Sequence, residues 1–234
     1  MSGTFGEFLA AIDIRNRIIN EALNLTDSLA KSDDSLLRLL TNSVVDMHSK
    51  DIEELKKERR RLLYELLRDA TETMLRDKNK GRAIILTPGA LNGDKDFLTI
   101  LAYHKVSEQT ISRTKFYIGG DETKNFERGT VGVAFLEKRI RIGSMIKKGD
   151  RWECTDEHYY VFDEHRVAPP YETFINVPII GPSKNGDINC LGIFCMDTKL
   201  YNAFNSRKDR VTAEAISRRI ASILSIYEEI INFH

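Results

Sequence analysis

The sequence predicts an α+β fold, and three observations carry the prediction. The first 80 of its 234 residues contain no proline and carry apolar residues at spacings of three and four. Two strand-like runs, Phe174–Ile180 and Ile188–Met196, flank the turn-rich stretch Gly181-Pro182-Ser183-Lys184-Asn185-Gly186-Asp187. An amphipathic pattern about 25 residues long then runs to the C-terminus.

Phe5, Phe8, Leu9, Ile12 and Ile19 recur at helical spacing and predict an amphipathic helix. Ser32-Asp33-Asp34-Ser35 is a second start signal, because acidic groups favour the positive end of a helix. From Ser49 the pattern sharpens: Ile52, Leu55, Leu62, Leu66 and Met74 form a stripe that Leu63, Leu67 and Ala70 widen. The repeat lasts roughly three heptads, and Arg59 interrupts its seam. A dimeric coiled coil and a helix packed on the main domain both fit. Asn79-Lys80-Gly81 closes the helical region, with Gly81 as the expected C-terminal cap.

Strand signals follow over Arg82–Leu86 and Phe97–Val106, separated by Pro88-Gly89 and Asn92-Gly93-Asp94. Gly129–Phe135 suits a short helix start whose small residues allow close packing, and Ile140-Arg141-Ile142 suits a brief strand. Residues 143–171 are irregular, with Trp152, Tyr159, Tyr160, Phe162 and the Pro169-Pro170 pair. The hairpin comes next, joined by an Asn-Gly turn. Ser206-Arg207-Lys208-Asp209 opens the last helix as a capping box with Asp in place of Glu. Val211, Ala215, Ile216, Ile220, Ile223, Leu224, Tyr227 and Ile231 form its apolar face. Internal repeats and low-complexity tracts are absent from the sequence.

Lys+Arg and Asp+Glu are equal at 35 each, so the balance gives no support for a nucleic-acid or anionic-membrane partner. No apolar run approaches the ~18 residues that span a bilayer, and the N-terminus lacks the basic and apolar regions of a secretion signal. Three cysteines, Cys154, Cys190 and Cys195, fit reduced thiols in the cytoplasm better than a disulfide framework. Ser-His-Asp, phosphate-loop, dinucleotide and kinase signatures are missing.

In order along the chain, Gly129-x-x-Gly132-x-Ala134, Ile140-Arg141-Ile142, Thr173–Ile179 with Val177-Pro178, Leu191–Asp197, and Ala203-Phe204 before the final helix resemble the pattern of a GAF domain. The resemblance covers residues 81–231, about two thirds of the chain. It implies a central antiparallel sheet of five to six strands with flanking helices. It also implies a ligand cavity under the 143–171 lid. The expected organisation is therefore an N-terminal helical extension over 1–80 and a GAF-like domain over 81–234. The resemblance implies a non-catalytic small-molecule sensor of intracellular signalling. It would be a homodimer through its flanking helices and would relay binding to a protein partner. An interaction module with an empty pocket, or a thiol-dependent methionine sulfoxide reductase-like enzyme, are the alternatives.

The candidate ligand-binding residues are Arg141, Trp152, His158, Tyr160, Arg166 and Tyr171. Arg141 and Arg166 suit a phosphate-bearing ligand, with Lys147, Lys148 and Arg151 nearby. Trp152, Tyr160 and Tyr171 suit stacking on a planar one, with Tyr159 and Phe162. The sequence names neither the ligand nor a cofactor. Some GAF domains that bind cyclic nucleotides carry an N-K…F…D-E signature; here Asn202 and Phe204 are present, but the lysine and the Asp-Glu pair are not. Cys154, His158 and His165 with their acidic neighbours match no compact zinc spacing, so no metal is expected. Cys190 and Cys195, five apart on one strand, are expected on opposite faces of the sheet and unable to pair.

Overall fold

The structure, a computed structural model, describes residues 52–75, 81–90, 93–159, 169–182 and 188–233. The patterns read over Phe5–Ile19 and Ser32–Ser35 lie outside the described residues. Residues 52–234 form one compact unit.

The elements in chain order are α1 (Ile52–Met74), β1 (Gly81–Pro88), β2 (Phe97–His104), α2 (Glu108–Arg113) and β3 (Lys115–Tyr117). A 3-10 turn over Glu122–Glu127 leads into α3 (Gly129–Glu137), then β4 (Arg141–Lys148), β5 (Arg151–Cys154), β6 (Thr173–Pro182), β7 (Ile188–Thr198) and α4 (Arg207–Phe233). The seven strands form an antiparallel sheet in the order β3-β2-β1-β7-β6-β4-β5. The GAF resemblance implied five to six strands. The surplus comes from β3 and β5, three and four residues long, whose apolar alternation is too short to register.

β6 is buried on both faces over Thr173–Ile179, which explains its continuous apolar run. Ile175, Val177 and Ile179 face α4, while Asn176 faces α3 and donates to Thr130 Oγ1 at 3.0 Å. α1 and α4 pack side by side on one face of the sheet, α1 on β1 and β2 and α4 mainly on β6. Leu55, Leu63 and Leu67 of α1 and Ile220, Ile223 and Tyr227 of α4 are fully buried there. Of the two arrangements the α1 pattern allows, it adopts the packed one. Ser217 Oγ donates to the Pro178 carbonyl at 2.7 Å and ties α4 to β6.

The capping box forms as the sequence implies. Asp209 N donates to Ser206 Oγ at 3.1 Å, and the Asp209 carboxylate accepts from Ser206 N at 3.0 Å. Aspartate reaches back over one turn and does the work of the usual glutamate.

α3 occupies the opposite face. Val131 and Ala134 sit on a cluster with Leu86, Leu98, Ile100, Ile193 and Cys195. The close approach depends on Gly132, where a Cβ would lie 2.7 Å from the Tyr117 carbonyl oxygen. Lys138, in the left-handed region at φ 55°, ends the helix by donating its N–H to the Ala134 carbonyl.

Three expectations need correction. Gly81 is not a helix cap: α1 ends at Met74, and Gly81 is the first residue of β1, paired with Thr198. The strand at 140–142 runs on to Lys148, because Arg141–Ser144 pair with β6 and Met145–Lys148 pair with β5. The first third of the expected irregular lid is thus a hairpin, closed by Gly149 at φ 61°, a glycine-first two-residue turn. Cys190 and Cys195 do not face opposite sides. Ile179 pairs with Gly192 and Ile180 with Cys190, so Leu191 is an extra residue that shifts the alternation. Cys190 packs against the same cluster that contains Cys195.

Candidate functional site

Strand β1 places Arg82 directly across from Asp197 of β7. Their side chains pair in two parallel bonds, Nε to Oδ1 at 2.8 Å and Nη2 to Oδ2 at 3.0 Å. The pair sits among apolar neighbours yet keeps 31% and 24% of its side-chain surface open. Burial pushes the Asp197 carboxyl above its ordinary value, and the guanidinium opposes that rise. Burial likewise works against the charge on Arg82, but the carboxylate outweighs it and Arg82 is raised. A bidentate fork of this kind favours the ionised pair.

An aromatic group completes this wall. The Tyr159 ring stacks on Phe174 with centroids 5.6 Å apart, and Tyr171 meets Phe174 edge to face at 5.9 Å. Tyr171 Oη donates to Tyr159 Oη at 3.0 Å. The Arg82 guanidinium lies 5.7 Å from the centre of the Tyr171 ring. Burial raises both phenols, Tyr171 well above its ordinary value, so both remain neutral at physiological pH.

These groups line a cavity of about 760 Å³ between the sheet and α3. Asn176 and Thr130 supply polar groups to its wall, and Arg113, Lys115 and Glu127 supply charge. Its size falls within the usual range for small-molecule sites, and so does its mix of apolar surface with few polar groups.

Of the six candidates from sequence, Tyr171 lines this cavity. Arg141 stands on β4 and pairs with Glu137 at 2.8 Å and Asp156 at 3.6 Å. Trp152 lies half-buried on the edge strand β5, opposite Lys147. His158 is half-buried in the turn after β5, its Nε2 3.4 Å from Glu157. Tyr160 and Arg166 lie outside the described residues. Sequence reasoning missed Arg82, Asn176, Phe174 and Asp197 as site residues. The signal was a charge inside each of two apolar strands, but only the register shows that the two charges meet.

The thiols are held in their protonated form. Burial pushes Cys154 and Cys190 up to about 11 and raises Cys195 well above its ordinary value. Among the described residues, no group of three or more His, Cys, Asp or Glu side chains is placed to hold a metal ion. Cys154 and His158 are described, whereas His165 is not. No helix among the described residues is long and apolar enough to cross a membrane.

The chain has a GAF-like fold. Its structure is similar to the GAF domain region of a protein from Geobacter sulfurreducens PCA, at 15% sequence identity and a TM-score of 0.51, over 76% of this chain and 99% of that one. It is also similar to the GAF domain of a phosphoenolpyruvate-protein phosphotransferase from Acinetobacter, at 12% identity and a TM-score of 0.49, over 84% and 96% of the two chains. The corresponding domain from Coxiella burnetii gives 9% identity and a TM-score of 0.48, over 82% and 94%. No protein-family model matches the sequence, and no match to a curated protein is found.

Proposed function

We propose that this chain is a non-catalytic sensory module. It binds a small organic molecule in the cavity between the sheet and α3, and it passes the change to a protein partner through α1 and α4. The cavity is the observation that carries the reading: about 760 Å³, walled by Tyr159, Tyr171 and Phe174, with the Arg82–Asp197 pair and Asn176 as polar contacts. Rings at these angles favour a flat, partly aromatic ligand, and the pair orients a polar substituent. Binding shifts the module only as far as the ligand's affinity differs between two states of the domain.

Raised thiols support binding over thiol catalysis, because the thiolate is the nucleophile and Cys154 and Cys190 reach it only near pH 11. Dimerisation in the cytoplasm through the flanking helices belongs to the same proposal.

Thermal-shift and calorimetric screening of nucleotides, amino acids and haem tests the reading. A binder is expected to raise the melting temperature of the native chain and to lose at least tenfold in affinity in Tyr171→Ala. A folded chain indifferent to every pool, or a binder insensitive to Tyr171→Ala and Phe174→Ala alike, would defeat it. Equilibrium sedimentation over a range of concentrations tests the dimer, and a monomer throughout would remove that part.

A further inference from the structure

The triple-arginine run of α1 is not a solvated face throughout. Arg59 is half-buried, and burial lowers its pKa while Glu228 of α4 opposes the shift. Its Nε is shielded from solvent without a hydrogen-bond partner among the described residues, and so is Ser225 Oγ of α4. Both residues line a second cavity of about 810 Å³, where the α1–α4 pair meets the β1–β2 turn and the β6–β7 end of the sheet. Among the described residues, Lys56, Arg59, Arg60 and Lys95 bring four cations to its wall, against one carboxylate, Glu228. Lys56 also pairs with Glu53 at 2.7 Å, but that exposed pair is weak and exchangeable.

The apolar part of the wall has an unusual origin. Both ladder irregularities place their extra residue there. Leu191 is the surplus residue of β7 opposite Ile179 and Ile180, and Leu101 is the surplus residue of β2 opposite Ile85 and Leu86. Each leaves its ladder and lines the cavity, and Leu224 of α4 adds a third leucine to the wall. Bulges cluster beside functional sites because they re-aim a side chain.

We propose that this second cavity binds a small phosphomonoester with an apolar body. Three positive charges in excess call for more than one negative charge, and a phosphate monoester carries about −1.5 to −2 at neutral pH where a carboxylate carries one. Arginine forks match its oxygens in two bonds at once. Leu101, Leu191 and Leu224 cover the apolar portion. The site is separate from the first cavity and is formed whether or not that cavity is filled.

Calorimetry on the native chain tests the proposal, with phenyl phosphate, inorganic phosphate and benzoate at one ionic strength set by chloride. Phenyl phosphate is expected to bind at least tenfold more tightly than either of the others. Arg60→Gln/Lys95→Gln removes two exposed cations without touching the core, and it is expected to weaken binding at least tenfold. Arg113→Gln/Lys115→Gln, on the wall of the first cavity, is expected to leave binding unchanged. Equal affinity for benzoate or inorganic phosphate overturns the proposal. So does an unaffected Arg60→Gln/Lys95→Gln variant, a loss in Arg113→Gln/Lys115→Gln, or no binding of phenyl phosphate at all.

Discussion

Arg82→Met is the substitution that most directly interrogates the first cavity. It keeps a long apolar stem across from Asp197 and deletes both charge-assisted bonds, at 2.8 and 3.0 Å. Removing one partner of a buried pair costs about 3–5 kcal/mol, because the remaining charge is left uncompensated. Here the two side chains keep 31% and 24% of their surface, so solvent recovers part of that cost. A loss of roughly 2–3 kcal/mol at pH 7 follows, or about 30- to 150-fold in the folding constant. Asp197 already sits above its ordinary carboxylate value through burial, and without the guanidinium it rises further. A carboxyl raised on folding is destabilising when ionised, so the penalty is full above its folded pKa and shrinks as pH falls through it. Urea unfolding followed by circular dichroism should therefore show a larger penalty at pH 7 than at pH 4.5. Arg82→Met/Asp197→Asn should recover at least 1 kcal/mol of the single-variant loss, since no charge is then stranded. A single-variant loss below about 0.5 kcal/mol, or a double variant no better than the single, would refute the reasoning.

Gly132→Val should destabilise by about 2 kcal/mol or more, because its Cβ would fall 2.7 Å from the Tyr117 carbonyl; thermal melts of the two chains check it. His104 is buried against Tyr64, and burial, then Lys105 and Arg68, lower its pKa below 6.5, with Glu72 opposing. The unfolded chain thus binds this proton more readily, so stability should fall as pH drops below 6.5. His104→Gln should flatten that part of the melting-temperature profile, and an unchanged slope would discard the assignment. Native-state alkylation of Cys154 and Cys190 should be slow at pH 7.5 and accelerate only towards pH 11, as mass spectrometry of each thiol will report.

The elements legible in the sequence are those whose signals are local. The β6–β7 hairpin carries its turn between two apolar runs, α3 carries its glycines, and α4 carries its Ser206–Asp209 box. β5 is illegible in the sequence because four residues with alternating exposure resemble a loop, and the Gly149 turn that makes them a hairpin sits inside a stretch with no regular pattern. The cavity walls were harder still. Tyr171 was found by its side-chain type, whereas Arg82 and Asp197 lie 115 residues apart and meet only through register. The bulge at Leu191 shows the same limit: one surplus residue brings Cys190 to the face of Cys195, against the simple alternation of a strand.

The two cavities share strands, and this constrains how the module works. β1 gives Arg82 and Ile84 to the first cavity and Thr87 and Pro88 to the second. β7 gives Cys195 and Asp197 to the first and Asn189 and Leu191 to the second. β1 and β7 are adjacent in the sheet, held by the ladder from Gly81–Thr198 to Leu86–Ile193. A ligand that changes the twist of this pair from one end therefore acts on the walls at the other. The second cavity also takes three of its four cations from α1 and its serine from α4, the helices through which an output would leave. If ligands at both cavities prefer the same state of the β1–β7 pair, each tightens the other by the same factor, because coupling between binding sites is reciprocal. If they prefer opposite states, each weakens the other equally. The shared strands supply the route, and the differential affinities alone set the sign.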